Sequence, residues 1–506
     1  MLPNITFQKG NGALGRPLPG QDHYSGLVFY SASLPSGFTA TKNILKFLSP
    51  NDAINAGINM NYTDETQAAA TFTVTAVGAN GDTVAFAVNE PNGNVVNLGT
   101  YTKAAGATTP TSVASAIAAV INSGTATHGY TATSAAAVLT ITARKGLGIF
   151  LNSGSPLTVS NTGGITGTIT QFTGGVASRS AVYYYHISEF FRIQPKGVLW
   201  VGIFPVPNPY TFVEVATLQN FSKGVIRQIG VYKDGAAFST SDMTAIQNQL
   251  IPLENGKKPA IGVYAADLSG VNDISTLTDL NTFNNYEVMP CIGQDYGGQG
   301  GFLYQTFGKS ITTLGAQLGA LALAKVNEDI AWVEKFNMTD GVELLTVAFA
   351  NGKPFSDPSI TDSLLDLLDT YRYVFLRYFV GIAGSYFNKA NMACSTSSDY
   401  AYAPDNRTMQ KAIRGVYTSL LPALSGPLLV NKDGTLSNVA IAYLKTKARP
   451  NLDQMERDSE ISGYGIVIDP TQIVTQTSTV TVGVQLEELG VARNIIVPIS
   501  YTNSLA

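Results

Sequence analysis

Three short patterns in this chain hold residue types from which a reactive or ligand-binding site is often built. Gly10-Asn-Gly-Ala-Leu-Gly15 has the G-x-G-x-x-G spacing that lets a backbone approach a pyrophosphate. That spacing works only where a strand feeds it and a helix leaves it. Here Arg16-Pro-Leu-Pro-Gly20 follows, which cannot continue as a helix, so the segment reads as a flexible arm. Tyr296-Gly-Gly-Gln-Gly-Gly301 is the most glycine-dense loop. It lacks the Gly-Lys-Ser/Thr ending that sets a lysine on phosphate and a hydroxyl on Mg²⁺, and reads as a surface or subunit-contact loop. His186, one of only three histidines with His23 and His128, has no acid or thiol at ligand spacing beside it. Packing within the aromatic run Tyr183–His186 and Phe190-Phe191 is the reading for it.

No serine stands in G-x-S-x-G, and neither an H-E-x-x-H pair nor an EF-hand loop occurs. Asp362, Asp366 and Asp369, with Arg372 and Arg377, read as a solvated or salt-bridged helix face. Cys291 and Cys394 form no C-x-x-C pair and read as buried thiols. Neither an enzyme nor a cofactor or metal site is expected. Of the 506 residues 45% are apolar and only 13% charged, with a net charge of −4. So little charge suggests surface covered by copies of the same chain. The balance offers no basic footprint for nucleic acid or an anionic membrane. Leu314–Ala324 is too short to span a bilayer, so no membrane insertion is expected. The opening Met-Leu-Pro-Asn-Ile-Thr has no basic region before an apolar run, which fits synthesis in a reducing cytoplasm.

The surrounding elements divide the chain into four parts: 1–60, an arm and the first part of a core; 61–177, an inserted β-rich domain; 178–357, an α/β core; and 358–506, a C-terminal domain. In the insert, Thr71–Val77 and Thr83–Val88 flank the turn Asn80-Gly81-Asp82 and are expected to form a hairpin, with a helix over Thr111–Asn122. In the core, strands Leu27–Ala32, Gly197–Phe204, Ile226–Tyr232 and Pro259–Tyr264 alternate with helices Tyr210–Phe221 and Ser241–Leu253. That order predicts a three-layer α/β sheet with parallel strands. Longer helices are expected over Ile311–Phe336, where Gly315 and Gly319 make a smooth stripe, and over Thr361–Phe387.

The last third carries helices over Thr408–Leu424 and Asn438–Ser462, extended pieces Gly463–Pro470 and Ser478–Leu486, and a closing strand Ala492–Thr502. Along it stand Asp399-Tyr-Ala, Asn406-Arg407, Lys411-Ala-Ile413, Asp433-Gly434, Met455, Glu460-Ile-Ser462, Asp469-Pro470 and Gly490-Val-Ala-Arg493-x-Ile495. In that order these residues resemble the C-terminal domain of contractile tail sheath proteins, from myovirus-type phage tails and bacterial contractile injection systems. The likeness continues more loosely through Pro195–Trp332 and leaves out Thr66–Gly175.

The resemblance implies a structural subunit that stacks as hexameric rings around an inner tube, with baseplate and tail terminator proteins at the ends. Assembly in the bacterial cytoplasm would yield a virion tail or a released particle, and contraction would drive the tube through a target envelope. It also implies exchange of terminal strands between subunits, with Leu27, Phe29, Ile495, Val497 and Ile499 as the candidate positions. A C-terminal helix is expected to meet the tube through Lys445, Lys447, Arg449, Lys411 and Arg414. A static surface-layer-like shell and an α/β enzyme with a β-rich accessory domain stay open as alternatives.

Overall fold

Alternation of side chains along one strand explains the main body. In the computed structural model, which describes residues 21–501, Tyr24–Tyr30 is the central strand of a six-stranded sheet. Leu27 and Phe29 point into one hydrophobic core, and Val28 and Tyr30 into another. A strand buried on both faces needs apolar residues at successive positions, as Leu27–Tyr30 has, while the buried Ser25 hydroxyl accepts from Gln228 Nε2 at 2.8 Å. Helices Arg179–Ile193 and Leu314–Leu323 complete the first core. Helices Val213–Phe221 and Thr240–Asn255 complete the second. Tyr24–Tyr30 pairs in parallel with Val198–Phe204 on one side and Gln228–Ala237 on the other. Ile261–Asp267 and Val288–Pro290 extend the sheet in parallel, and Ile44–Phe47 closes the other edge antiparallel.

The glycine stripe of Leu314–Leu323 lies against helix Arg179–Ile193. A methyl group on Gly315 would fall 2.3 Å from the His186 carbonyl oxygen, and one on Gly319 would fall 2.9 Å from that of Phe190. The two backbones therefore approach more closely than any larger residue would allow.

Several helices are shorter than periodicity predicts, and left-handed residues mark the breaks. Phe212 (φ 57°) delays one helix to Val213, and Thr312 (φ 59°) stands just ahead of Leu314–Leu323. The expected helix Thr361–Phe387 survives only as Asp362–Thr370. Arg372 (φ 76°) turns the chain, after which Leu376–Phe379 and Ile382–Phe387 pair antiparallel around Gly381. Arg372 is buried, not on a solvated face: Nε donates to the Met392 carbonyl at 3.2 Å and Nη2 to that of Ala401. Asp369 pairs with Lys389 at 2.5 Å. Leu368, Val374 and Phe375 belong to the cores of the main body, so the chain does not divide at 358. Of the described residues, 21–324 and 328–406 form one compact unit, and 325–327 with 407–501 another.

Within the larger unit the insert begins and ends at one place, where Thr66 and Val176 exchange backbone hydrogen bonds of 3.1 and 2.9 Å. Its strands Ala69–Val77 and Thr83–Asn89 do not form the expected hairpin. The first pairs with Val138–Thr142 and Ile165–Thr173, the second with Val95–Thr102 and Leu157–Thr162, in two separate sheets. Both sheets and helix Pro110–Ser123 enclose a single core. The turn at Gly81 therefore crosses between sheets, and the Asp82 carboxylate fixes it by accepting from the amides of Ala79 (2.7 Å) and Gly164 (2.6 Å).

Candidate assembly surface

Helix Asn438–Arg457 dominates the smaller unit. Ser437 caps it, its hydroxyl accepting from the Ala440 amide at 3.2 Å. Ala440, Leu444, Ala448, Leu452 and Met455 follow at helical spacing and are buried. Their partners include Ala412 from helix Ala403–Leu420, Ile461 and Ile468. Strands Gly463–Val467 and Gly483–Glu487 pair only with each other among the described residues.

That buried face leaves the cations of the helix on the outside. Lys445 and Arg449, four residues apart, share one side. Lys447 lies round the helix from them, its Nζ 5.6 Å from the Tyr443 ring centre. None of the three makes an ion pair among the described residues. The acids that follow are engaged elsewhere: Asp453 accepts from the Tyr464 hydroxyl, and Asp458 from the Gln454 amide at 2.8 Å. Lys411 differs, because it forms a 2.5 Å ion pair with the buried Glu460. Arg414 is half-buried on helix Ala403–Leu420.

The terminal strand positions separate in the same way. Leu27 and Phe29 sit in a strand whose two edges are filled by the same chain, which leaves no edge for a second molecule. The segment expected as a strand over Ala492–Thr502 belongs to no strand as far as Tyr501, where description ends. Ile495 is 76% exposed and Ile499 90%, with Ile496, Val497 and Tyr501 also exposed. The arm around Gly10–Pro19 lies outside the described residues. A further apolar surface went unread in the sequence: Leu424 (74% exposed), Leu429, Val439 and Tyr443. Leu429 is tied to the helix cap, its carbonyl accepting from the Ser437 amide at 3.1 Å. The run Leu420-Leu-Pro-Ala-Leu-Ser-Gly-Pro-Leu-Leu-Val430 carries the signal, being apolar without helical or strand periodicity.

The glycine loop of the larger unit holds its own anions. Asp295 accepts from the amides of Gly298 (3.2 Å), Gly300 (3.0 Å) and Gly301 (3.3 Å), and Glu343 accepts from that of Gln299 at 3.1 Å. Two carboxylates thus fill the start of helix Gln299–Phe307, where a phosphate would sit. Burial raises the pKa of both. His186 is wholly buried between Phe29 and Tyr232, and desolvation lowers its pKa to about 3, keeping it neutral. Among the described residues no group of three metal-ligating side chains occurs, and no helix is long and apolar enough to cross a membrane.

Two family descriptions match this sequence: DUF2586, N-terminal domain, over residues 2–391, and DUF2586, C-terminal domain, over 399–506. Solved structures similar to it come from contractile injection systems. The helical sheath of the anti-feeding prophage in its contracted state matches at 14% identity and TM-score 0.43, over 62% of this chain and 81% of that one. The six-fold symmetrised baseplate of the same particle matches at 12% and 0.40, over 63% and 80%. The contracted PVC sheath complex, from an extracellular contractile injection system, matches at 13% and 0.40, over 63% and 80%. No curated protein matches.

Proposed function

The chain belongs to the DUF2586 family, and from that premise we propose that it is the structural subunit of a contractile tail sheath, not an enzyme. Subunits polymerise as stacked hexameric rings around an inner tube, between a baseplate and a tail terminator. Assembly takes place in the bacterial cytoplasm, and contraction drives the tube through a target envelope. The observation that carries this reading is the exposed run Ile495-Ile-Val-Pro-Ile499, which joins no strand of its own chain as described. Among the described residues the unit that bears it holds one sheet of two strands, Gly463–Val467 and Gly483–Glu487, which pair with each other and with no third strand. A donated strand satisfies an edge of such a sheet and buries its own apolar side chains in the same step. Backbone pairing of this kind survives rotation of the domains it links, so an extended lattice can pass to a tighter one without coming apart. New contacts between subunits supply the free energy of that passage.

Lys445 and Arg449 face acidic groups of the tube, with Lys447 contributing from its side of the helix. Lys411 takes no part, because Glu460 already holds it. Electron microscopy of the purified chain, alone and with its tube protein, tests the reading. Striated hollow cylinders are expected, and flat lattices or discrete particles would contradict it. Reversing Lys445, Lys447 and Arg449 to glutamate leaves the fold intact and abolishes assembly on the tube. Normally sheathed tubes from that variant would remove the three residues from the contact.

A further inference from the structure

A polar cleft of about 460 Å³ opens beyond the carboxyl end of the central strand Tyr24–Tyr30, between Ser31 and Ser33 on one side and Arg179 and Ser180 on the other. Its place in the topology is distinctive. From Tyr24–Tyr30 the chain runs to Val198–Phe204 on one flank and then crosses to Gln228–Ala237 on the other. Open α/β sheets bind ligands outside the carboxyl ends of their strands, where the strand order reverses. The volume lies in the range of small-molecule sites, roughly 300–1,000 Å³.

The walls are held by the chain itself. The Ser180 hydroxyl accepts from the Asn59 amide at 2.9 Å. The Asp64 carboxylate accepts from the Ser178 hydroxyl at 2.5 Å and the Ser180 amide at 3.0 Å, capping helix Arg179–Ile193. A carboxylate therefore already stands where this helix would attract an anion. Arg179 pairs through Nε with Asp234 at 2.6 Å, so the charges around the cleft sum to no excess of positive charge. Phosphates and other anions are disfavoured on both counts.

Hydrogen-bonding capacity is left over in the same place. Among the described residues no acceptor takes the terminal nitrogens of Arg179, and the Asn55 amide has no partner. Asp64 has lone pairs beyond the two already used. A guanidinium, an amide and a carboxylate are planar groups, suited to bridging two adjacent hydroxyls. Leu34, Pro35 and Ile54 supply an apolar wall beside them. Hydroxyls that both donate and accept, on a ring with an apolar face, match this set. We propose that the cleft binds a neutral mono- or disaccharide, held by Arg179, Asn55 and Asp64.

Saturation-transfer NMR on the full chain tests this with millimolar glucose, galactose, mannose, N-acetylglucosamine and maltose, and with inorganic phosphate in a parallel titration. At least one neutral sugar is expected to bind and phosphate is not. Asn55→Leu removes an exposed side chain that holds nothing in place. It is expected to weaken the sugar about fivefold or more, the loss of one or two hydrogen bonds, with the thermal midpoint unchanged. Arg179→Met should weaken it further. Binding of no sugar in the panel, binding of phosphate alone, or an unaltered affinity in Asn55→Leu would each overturn the proposal. None of these results bears on the sheath reading, which uses the other unit.

Discussion

Leu27-Val-Phe-Tyr30 and Ile495-Ile-Val-Pro-Ile499 are both short runs of β-prone, apolar residues. The first is wholly buried, with strands hydrogen-bonded along both edges and a core on each face. The second is exposed along its length and joins no strand among the described residues. Hydrophobicity alone therefore does not decide which run is structural and which is offered outward. Pro498 distinguishes them. It lacks an N–H, so a strand containing it fits only at a sheet edge, whereas the unbroken donors of 27–30 suit a centre.

That contrast predicts opposite outcomes for similar substitutions. Replacing Ile495, Val497 and Ile499 with asparagine is expected to abolish polymerisation outright, while circular dichroism and the thermal midpoint of the dilute chain stay unchanged. A fall in the midpoint would mean that the segment packs within its own molecule. Phe29→Ala acts the other way. Phe29 stacks on Tyr183 with ring centres 4.4 Å apart, and truncation is expected to cost about 3–5 kcal/mol of folding stability, read by denaturant unfolding. A change below about 1 kcal/mol would place Phe29 outside a tightly packed core.

A smaller effect sharpens the view of the buried unit as not uniformly stable. Glu287 is buried, neither carboxyl oxygen has a hydrogen-bond partner in the described protein apart from neighbouring Glu254, and desolvation pushes its pKa up to about 9. Between the ordinary carboxylate range and that value the folded chain holds a proton that the unfolded chain has released. Stability therefore falls as pH rises across this window, by about 1.4 kcal/mol per pH unit at most. Glu287→Gln should remove that part of the slope, giving a variant that gains on the parent progressively from pH 6 to pH 9 in urea unfolding. Parallel pH profiles for the two proteins would contradict the assignment.

The strands of the large sheet were legible because burial on both faces demands continuous apolar runs between helices of core spacing. The insert was legible from its change of composition. Pairing inside it was not, since a turn such as Asn80-Gly81-Asp82 looks the same whether it joins neighbours or crosses between sheets. Helix ends were lost where non-glycine residues, Phe212, Thr312 and Arg372, take left-handed backbone that tertiary packing imposes. The cationic helix could be read from spacing. The pairing of Lys411 could not, because its partner Glu460 lies 49 residues away.

Hydrogen exchange at the backbone amides of 494–497 and 499 measures the central claim directly, comparing the dilute single chain with the assembled particle. Near-unprotected exchange in the single chain and strong protection after assembly are predicted. Equal protection in both states would show that these residues are satisfied within one molecule and are not shared between neighbours.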